Sequence, residues 1–158
     1  MNQNPQHQTT SRALPAIFWA GLTCGVLDIS AAFITWSFHG VKPYRILQSV
    51  ASGLLGPKAF TGGWHSATLG AVCHFFIAFS AATVFYFASR KLTFMTRRPA
   101  ISGVLYGIAV YFVMYWVVRP LSLVRMGRFS VSEMVIAILT HIVCIGLPIA
   151  FLVRRYSR

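Results

Sequence analysis

The chain has 158 residues, of which 56% are apolar or aromatic and only 10% are charged. A soluble domain normally has about a quarter of its residues charged, so the composition argues against a soluble protein and predicts that lipid contacts much of the surface. The net charge is +12, but no motif places aromatic residues among bases on a polar face, which argues against nucleic-acid binding.

The sequence predicts one membrane domain behind a short tail. Residues 1–11 are polar and are expected to be disordered, and residues 12–158 form the domain. Four apolar stretches each have roughly the 20 residues that a helix needs to cross about 30 Å of hydrocarbon, and they are too uniformly apolar for the strands of a barrel. We therefore predict an all-α membrane protein, a bundle of four transmembrane helices at about 15–38, 66–89, 100–118 and 131–153.

The loop between the first two spans is too long for a hairpin and is predicted to contain a fifth, short helix at about 43–55. Its apolar residues recur with helical spacing, and Gly56-Pro57 ends the pattern. Such a helix either lies in the membrane interface or dips into the bundle as a re-entrant segment, and the pattern leaves both open. The predicted apolar face comprises Ile46, Leu47, Val50, Ala51, Leu54 and Leu55.

The distribution of basic residues predicts the orientation. Eight lie on the side of the termini and six lie on the other side, so the positive-inside bias places both termini in the cytoplasm. The bases also predict contact with anionic lipid headgroups. The eight are Arg12, Arg90, Lys91, Arg97, Arg98, Arg154, Arg155 and Arg158; the six are Lys42, Arg45, Lys58, Arg119, Arg125 and Arg128.

Three ionisable residues are predicted to share one layer of the bundle. Asp28 and His141 each lie 13 residues from a cytoplasmic helix end, at Pro15 and Arg154 respectively, a rise of about 20 Å. His74 lies at a similar depth, about 24 Å from Arg90. An ionised Asp near the bilayer centre costs roughly 2.5 kcal/mol or more, so it must be neutral, paired, or facing water inside the bundle.

Three interpretations of this layer remain open. Asp28, His74 and His141 could form a proton or ion site, because histidine titrates near neutral pH. Asp28 could instead make only an interhelical hydrogen bond that stabilises packing. The third is a metal site, since two histidines and a carboxylate suit zinc or iron, although no single helix carries a metal-binding spacing.

Glu133, the second acid, fits a capping box that begins at Ser130. The alternative makes Glu133 a step in a proton relay with His141, which lies eight residues further on nearly the same helix face. Two glycine pairs, Gly21-x-x-x-Gly25 and Gly103-x-x-x-Gly107, predict close helix contacts without identifying the partner. Pro148 is predicted to kink the fourth span.

No catalytic motif is present: the sequence lacks a G-x-S-x-G elbow, a phosphate loop and a dinucleotide fingerprint. The three cysteines lie in apolar runs and form no C-x-x-C pair, which indicates buried apolar residues. We therefore favour a protein that is not an enzyme, with no catalytic residues and no cofactor.

One arrangement resembles a known family. Gly103-x-x-x-Gly107, a Pro-Leu pair at the end of that helix, and then Glu133 and His141 are similar to the pattern of the YagU-type bacterial inner-membrane proteins, with His74 early in the second span. The resemblance covers about residues 66–153. It implies the same topology and a multi-pass protein of the bacterial inner membrane, and it implies no catalytic residues.

These observations predict a small integral membrane protein with a titratable centre that performs proton-linked permeation or transport of a small solute. Because four spans are few for a transporter, we expect a homo-oligomer or a larger complex. Two alternatives stay open: a non-catalytic scaffold or accessory subunit of a membrane complex, and a membrane-embedded metalloenzyme.

Overall fold

The computed structural model describes the backbone of residues 5–124 and 130–156 and the side chains of residues 13–124 and 130–156. Within these ranges the chain is helical and contains no strand. The first residues of the predicted tail, 1–4, lie outside the described part. So do Arg125, Arg128 and Arg158 and the side chain of Arg12, which all entered the count of basic residues.

Four of the described helices are long and apolar enough to cross a membrane, which confirms the all-α membrane fold. Helix α1 begins at Pro5, so residues 5–11 are helical where a disordered tail was predicted. No glycine or proline interrupts the chain between Pro5 and Pro15, and proline suits a first helical position. The main helices are α1 (Pro5–Ser37, with the span Ala13–Ser37), α2 (Pro43–Leu55), α3 (Gly63–Lys91), α4 (Pro99–Leu121) and α5 (Val131–Tyr156). Two short connectors are also helical, a 3-10 segment at Gly56–Thr61 and a single turn at Phe94–Arg97.

The bundle core lies near the end that holds Pro5 and Tyr156, where α1, α3 and α5 meet. Small residues of α1 allow close approach, and larger side chains of α3 and α5 fill the remaining space. Only about a fifth of each span is buried, so most apolar side chains face outward, as expected in lipid. The core comprises Ala16, Ala20, Cys24, Ala78, Ala82, Phe85, Tyr86, Ile149, Ala150 and Val153.

The two glycine pairs predicted to make close helix contacts both pack against other helices of the same chain. Gly103 and Gly107 of α4 meet the backbone of α5 around Gly146, so these helices touch main chain to main chain. By contrast, Gly21 and Gly25 of α1 receive phenyl rings of α3. The first contact leaves no room for a Cβ on Gly103 or Gly107, although the Leu147 side chain also reaches Gly103. In the second contact, aromatic rings of α3 pack against the glycines of α1.

The short helix α2 has the predicted bounds and packs beside α3 within the depth of the span. It crosses α3 at Gly70, where the main chain of Leu47 and Ala51 lies against the glycine. Gly70 is seven residues from the start of α3, about 10 Å along the helix. The helix therefore dips into the bundle.

The predicted apolar face of α2 is only partly the face that packs. Its buried residues are Ile46, Gln48, Ala51 and Ser52, whereas Leu54 is 62% exposed. Small and polar residues face the neighbouring helix and leucine faces outward. This inverts the soluble pattern, because lipid solvates leucine well and helix contacts in lipid favour small residues.

Proline explains two wide turns in the last two spans. A proline ring clashes with the carbonyl four residues earlier, which belongs to Trp116 for Pro120 and to Cys144 for Pro148. Both carbonyls lie in π-helical segments, Met114–Val118 and His141–Gly146, and a π turn moves the carbonyl away from the ring. The α4 span continues past Pro120 to Leu121, beyond the predicted end at 118, because the wide turn accommodates the ring.

Candidate functional site

A cavity of about 190 Å³ lies at the centre of the bundle, and all five helices line it. Asp28 and His74 are its ionisable members apart from the thiol of Cys24. The helix α2 contributes Val50, which reaches the cavity because α2 packs beside α3. The other lining residues are apolar: Ile77, Ala78, Ala81, Val110, Met114 and Ile145.

His74 connects α3 to α1 beside Asp28. Its Nε2–H donates to the carbonyl oxygen of Gly25 at 2.9 Å, and this direction follows because a carbonyl can only accept. Gly25 lies three residues before Asp28, about 4.5 Å along the helix. The Nδ1 atom of His74 has no hydrogen-bond partner among the described residues, so it remains able to accept a proton.

His141 approaches the same carboxylate from α5. Its Nδ1–H donates to the carbonyl oxygen of Ala137 at 2.8 Å, and its ring meets that of Tyr111 edge-on at 5.6 Å between centroids. These contacts fix the ring and leave Nε2 as the atom that can gain a proton. His141 is also the first residue of the π-helical segment, and such segments are frequent at functional sites.

Asp28 interacts electrostatically with both imidazoles, and the cysteines Cys24 and Cys144 also lie within its electrostatic reach. The structure thus brings Asp28, His74 and His141 together. Yet no described side chain forms a hydrogen bond or an ion pair with the Asp28 carboxylate. The arrangement can accept a proton or a small cation beside Asp28, and each histidine offers one further protonatable nitrogen.

The three groups are not arranged as metal ligands. Across the ranges 5–124 and 130–156, no set of three or more His, Cys, Asp or Glu side chains is placed to hold a metal ion. One nitrogen of each histidine is already engaged by a backbone carbonyl. The geometry therefore gives no support to the predicted ligand set of Asp28, His74 and His141.

Glu133 caps α5, as predicted. The Glu133 amide donates to the Ser130 hydroxyl at 3.2 Å, and the Ser130 amide donates to a Glu133 carboxylate oxygen at 2.8 Å. This is a complete capping box, and its carboxylate is exposed. The geometry supports the cap, and Asp28 rather than Glu133 is the carboxylate that interacts with His141.

Two polar contacts between helices were absent from the sequence predictions. The Tyr106 hydroxyl donates to the Ala81 carbonyl at 2.7 Å and so joins α4 to α3. The buried Gln48 of α2 donates to the carbonyl of Gly63 and to the hydroxyl of Ser66. The sequence feature that could have indicated the Gln48 contact is its amide side chain, which stands among the apolar residues of a short helix.

The chain matches no protein-family model, no curated protein and no solved structure. The resemblance to the YagU-type proteins therefore stays a prediction.

Proposed function

We propose that this protein mediates proton-linked permeation or transport of a small solute, with Asp28 as the group that gains and releases the proton. The observation that carries the proposal is the placement of Asp28 in a cavity lined by five helices, next to two histidines. Its carboxylate has no hydrogen-bond partner among the described side chains.

The contacts between helices favour this proposal over a purely structural role for Asp28. An acid that served as packing glue would make an interhelical hydrogen bond. His74 and Tyr106 make such bonds here, to Gly25 and Ala81. Hydrogen bonds between helices are therefore made by His74 and Tyr106 and do not require Asp28.

The energetic cost of an ionised Asp28 supplies the coupling. In apolar surroundings the charge costs roughly 2.5 kcal/mol or more. A proton on the carboxyl, a proton on His74 or His141, or a bound cation each reduces that cost. Exchange among these states would link proton uptake to movement of a solute.

Infrared spectroscopy can test whether Asp28 titrates, because the chain has only two acidic side chains. We expect the pH-difference spectrum of the purified protein in lipid to show a carboxylic-acid C=O band that disappears in Asp28→Asn. The matched control is Glu133→Gln, which removes the capping carboxylate and should keep the band. An unchanged band in Asp28→Asn would refute the proposal.

Transport can be tested in liposomes that contain a pH-sensitive dye. After an external acid pulse, we expect faster acidification with the wild-type protein than in empty liposomes, and a rate near that of empty liposomes with Asp28→Asn. If liposomes with the wild-type protein acidify no faster than empty ones, transport is refuted and the accessory-subunit interpretation replaces it. If Asp28→Asn remains folded and acidifies as fast as the wild type, Asp28 is not the group that carries the proton.

We further propose a homo-oligomer in the bacterial inner membrane, with both termini cytoplasmic and anionic headgroups around the basic residues. The excess of basic residues on the side of the termini supports the orientation. Reporter enzymes fused after Phe38 and at the C-terminus would then report opposite sides of the membrane. Cross-linking in native membranes should yield a dimer or a larger species.

A further inference from the structure

The charge of the residues that line the central cavity favours a cation over an anion. Among the described residues that line the cavity, Asp28 is the one carboxylate, and none is Lys or Arg. A small anion would therefore meet a carboxylate and no permanent positive charge. A cation would be attracted.

The same lining disfavours an inorganic cation. Hard cations such as Mg²⁺ and Ca²⁺ take six or more oxygen ligands, and the described lining of the cavity supplies one carboxylate, that of Asp28. Apart from His74 and the thiol of Cys24, the remaining described lining consists of valine, isoleucine, alanine and methionine side chains. Such walls suit a cation with alkyl substituents, because moving apolar alkyl surface from water into contact with apolar side chains is favourable.

We propose that the central cavity binds a small organic ammonium cation and that this cation and a proton compete for Asp28. This inference rests on the proposed function and names its substrate class. In the exchange, the protonated carboxyl releases its proton to water as the cation binds, leaving a carboxylate paired with the ammonium group. No covalent bond to the solute forms or breaks.

The groups around Asp28 set the direction of the pH dependence. The α3 helix presents His74, α5 presents His141 and Cys144, and Asp28's own helix presents Cys24. From α2 and α4 the cavity receives only apolar residues: Val50, Val110 and Met114. At acidic pH the Asp28 carboxyl gains a proton and loses its negative charge, which removes the attraction for a cation. Binding should therefore strengthen as pH rises and weaken as pH falls.

Tetraethylammonium is a suitable probe because its charge is permanent and it has no proton to exchange. Added to the purified full-length protein in weakly buffered detergent solution at mildly acidic pH, it should release close to one proton for each cation bound, measured with a pH indicator and calorimetry. In Asp28→Asn both binding and proton release should be lost. Glu133→Gln should behave as the wild type.

The results separate this inference from the function on which it rests. If Asp28 titrates in the infrared experiment but tetraethylammonium neither binds nor releases protons, the organic cation is refuted while proton-linked permeation stands. Equal binding to Asp28→Asn would also refute the cavity site. If Asp28 shows no titration at all, both proposals fail together.

Discussion

The contact between α2 and α3 gives the sharpest test of the structure, through the substitution Gly70→Ala. The added Cβ would lie 2.7 Å from the Leu47 carbonyl carbon and 3.2 Å from the Ala51 amide nitrogen. The first distance falls about 0.7 Å short of the 3.4 Å at which ordinary van der Waals contact begins. These are backbone atoms, so no side-chain rotation relieves the clash and α2 must shift as a unit.

The expected cost follows from three contributions. Overpacking typically costs about 1–3 kcal/mol. A shifted α2 also weakens the hydrogen bonds that Gln48 makes to Gly63 and Ser66, of about 0.5–1.5 kcal/mol each if lost. Against these, alanine is favoured over glycine in a helix by about 1 kcal/mol. We expect Gly70→Ala to destabilise the protein by about 2 kcal/mol.

The control is Gly53→Ala, the same substitution on α2. There the new Cβ would lie 3.6 Å from the Ser122 Cβ, an ordinary contact, so helix propensity should dominate and the protein should be unchanged or more stable. Thermal unfolding in detergent can be followed with a thiol-reactive dye, because Cys24 is buried in the folded state. If Gly70→Ala unfolds at or above the wild-type temperature, α2 does not dock on α3 as described.

Three further substitutions test other contacts. Ser130→Ala removes the helix cap and should cost about 1 kcal/mol of stability, measured by thermal unfolding; an unchanged midpoint would contradict the capping box. Tyr106→Phe removes only the hydroxyl that bonds Ala81, so a loss of about 0.6 kcal/mol is expected, and a more stable variant would refute that bond. Gly146→Ala places a Cβ against the backbone of Gly103 and should abolish folding or destabilise the protein by more than Tyr106→Phe, as judged by size-exclusion chromatography in detergent.

The spans, the cap and the short helix could be predicted from the order of the amino acids. Each depends on neighbours along the chain: apolar length for the spans, a serine three residues before Glu133 for the cap, and a break at Gly56 for α2. The wide turns at Pro120 and Pro148 also have a local origin. At Pro120 the helix continues where the sequence predicted its end, and the predicted kink at Pro148 stays a prediction. Local pattern is sufficient in these cases because each signal lies in consecutive residues of one segment and needs no contact with another segment.

The contacts between residues on different helices could be known only from the tertiary structure. The depths of Asp28, His74 and His141 indicated one layer, but depth along a helix does not fix rotation about its axis. That rotation placed His74 against Gly25, left the Asp28 carboxylate at a cavity, and turned Gln48 of α2 inward. The close contacts at Gly21 and Gly25 of α1, at Gly70 of α3 and at Gly146 of α5 lie where the helices meet, and they join residues far apart in the chain.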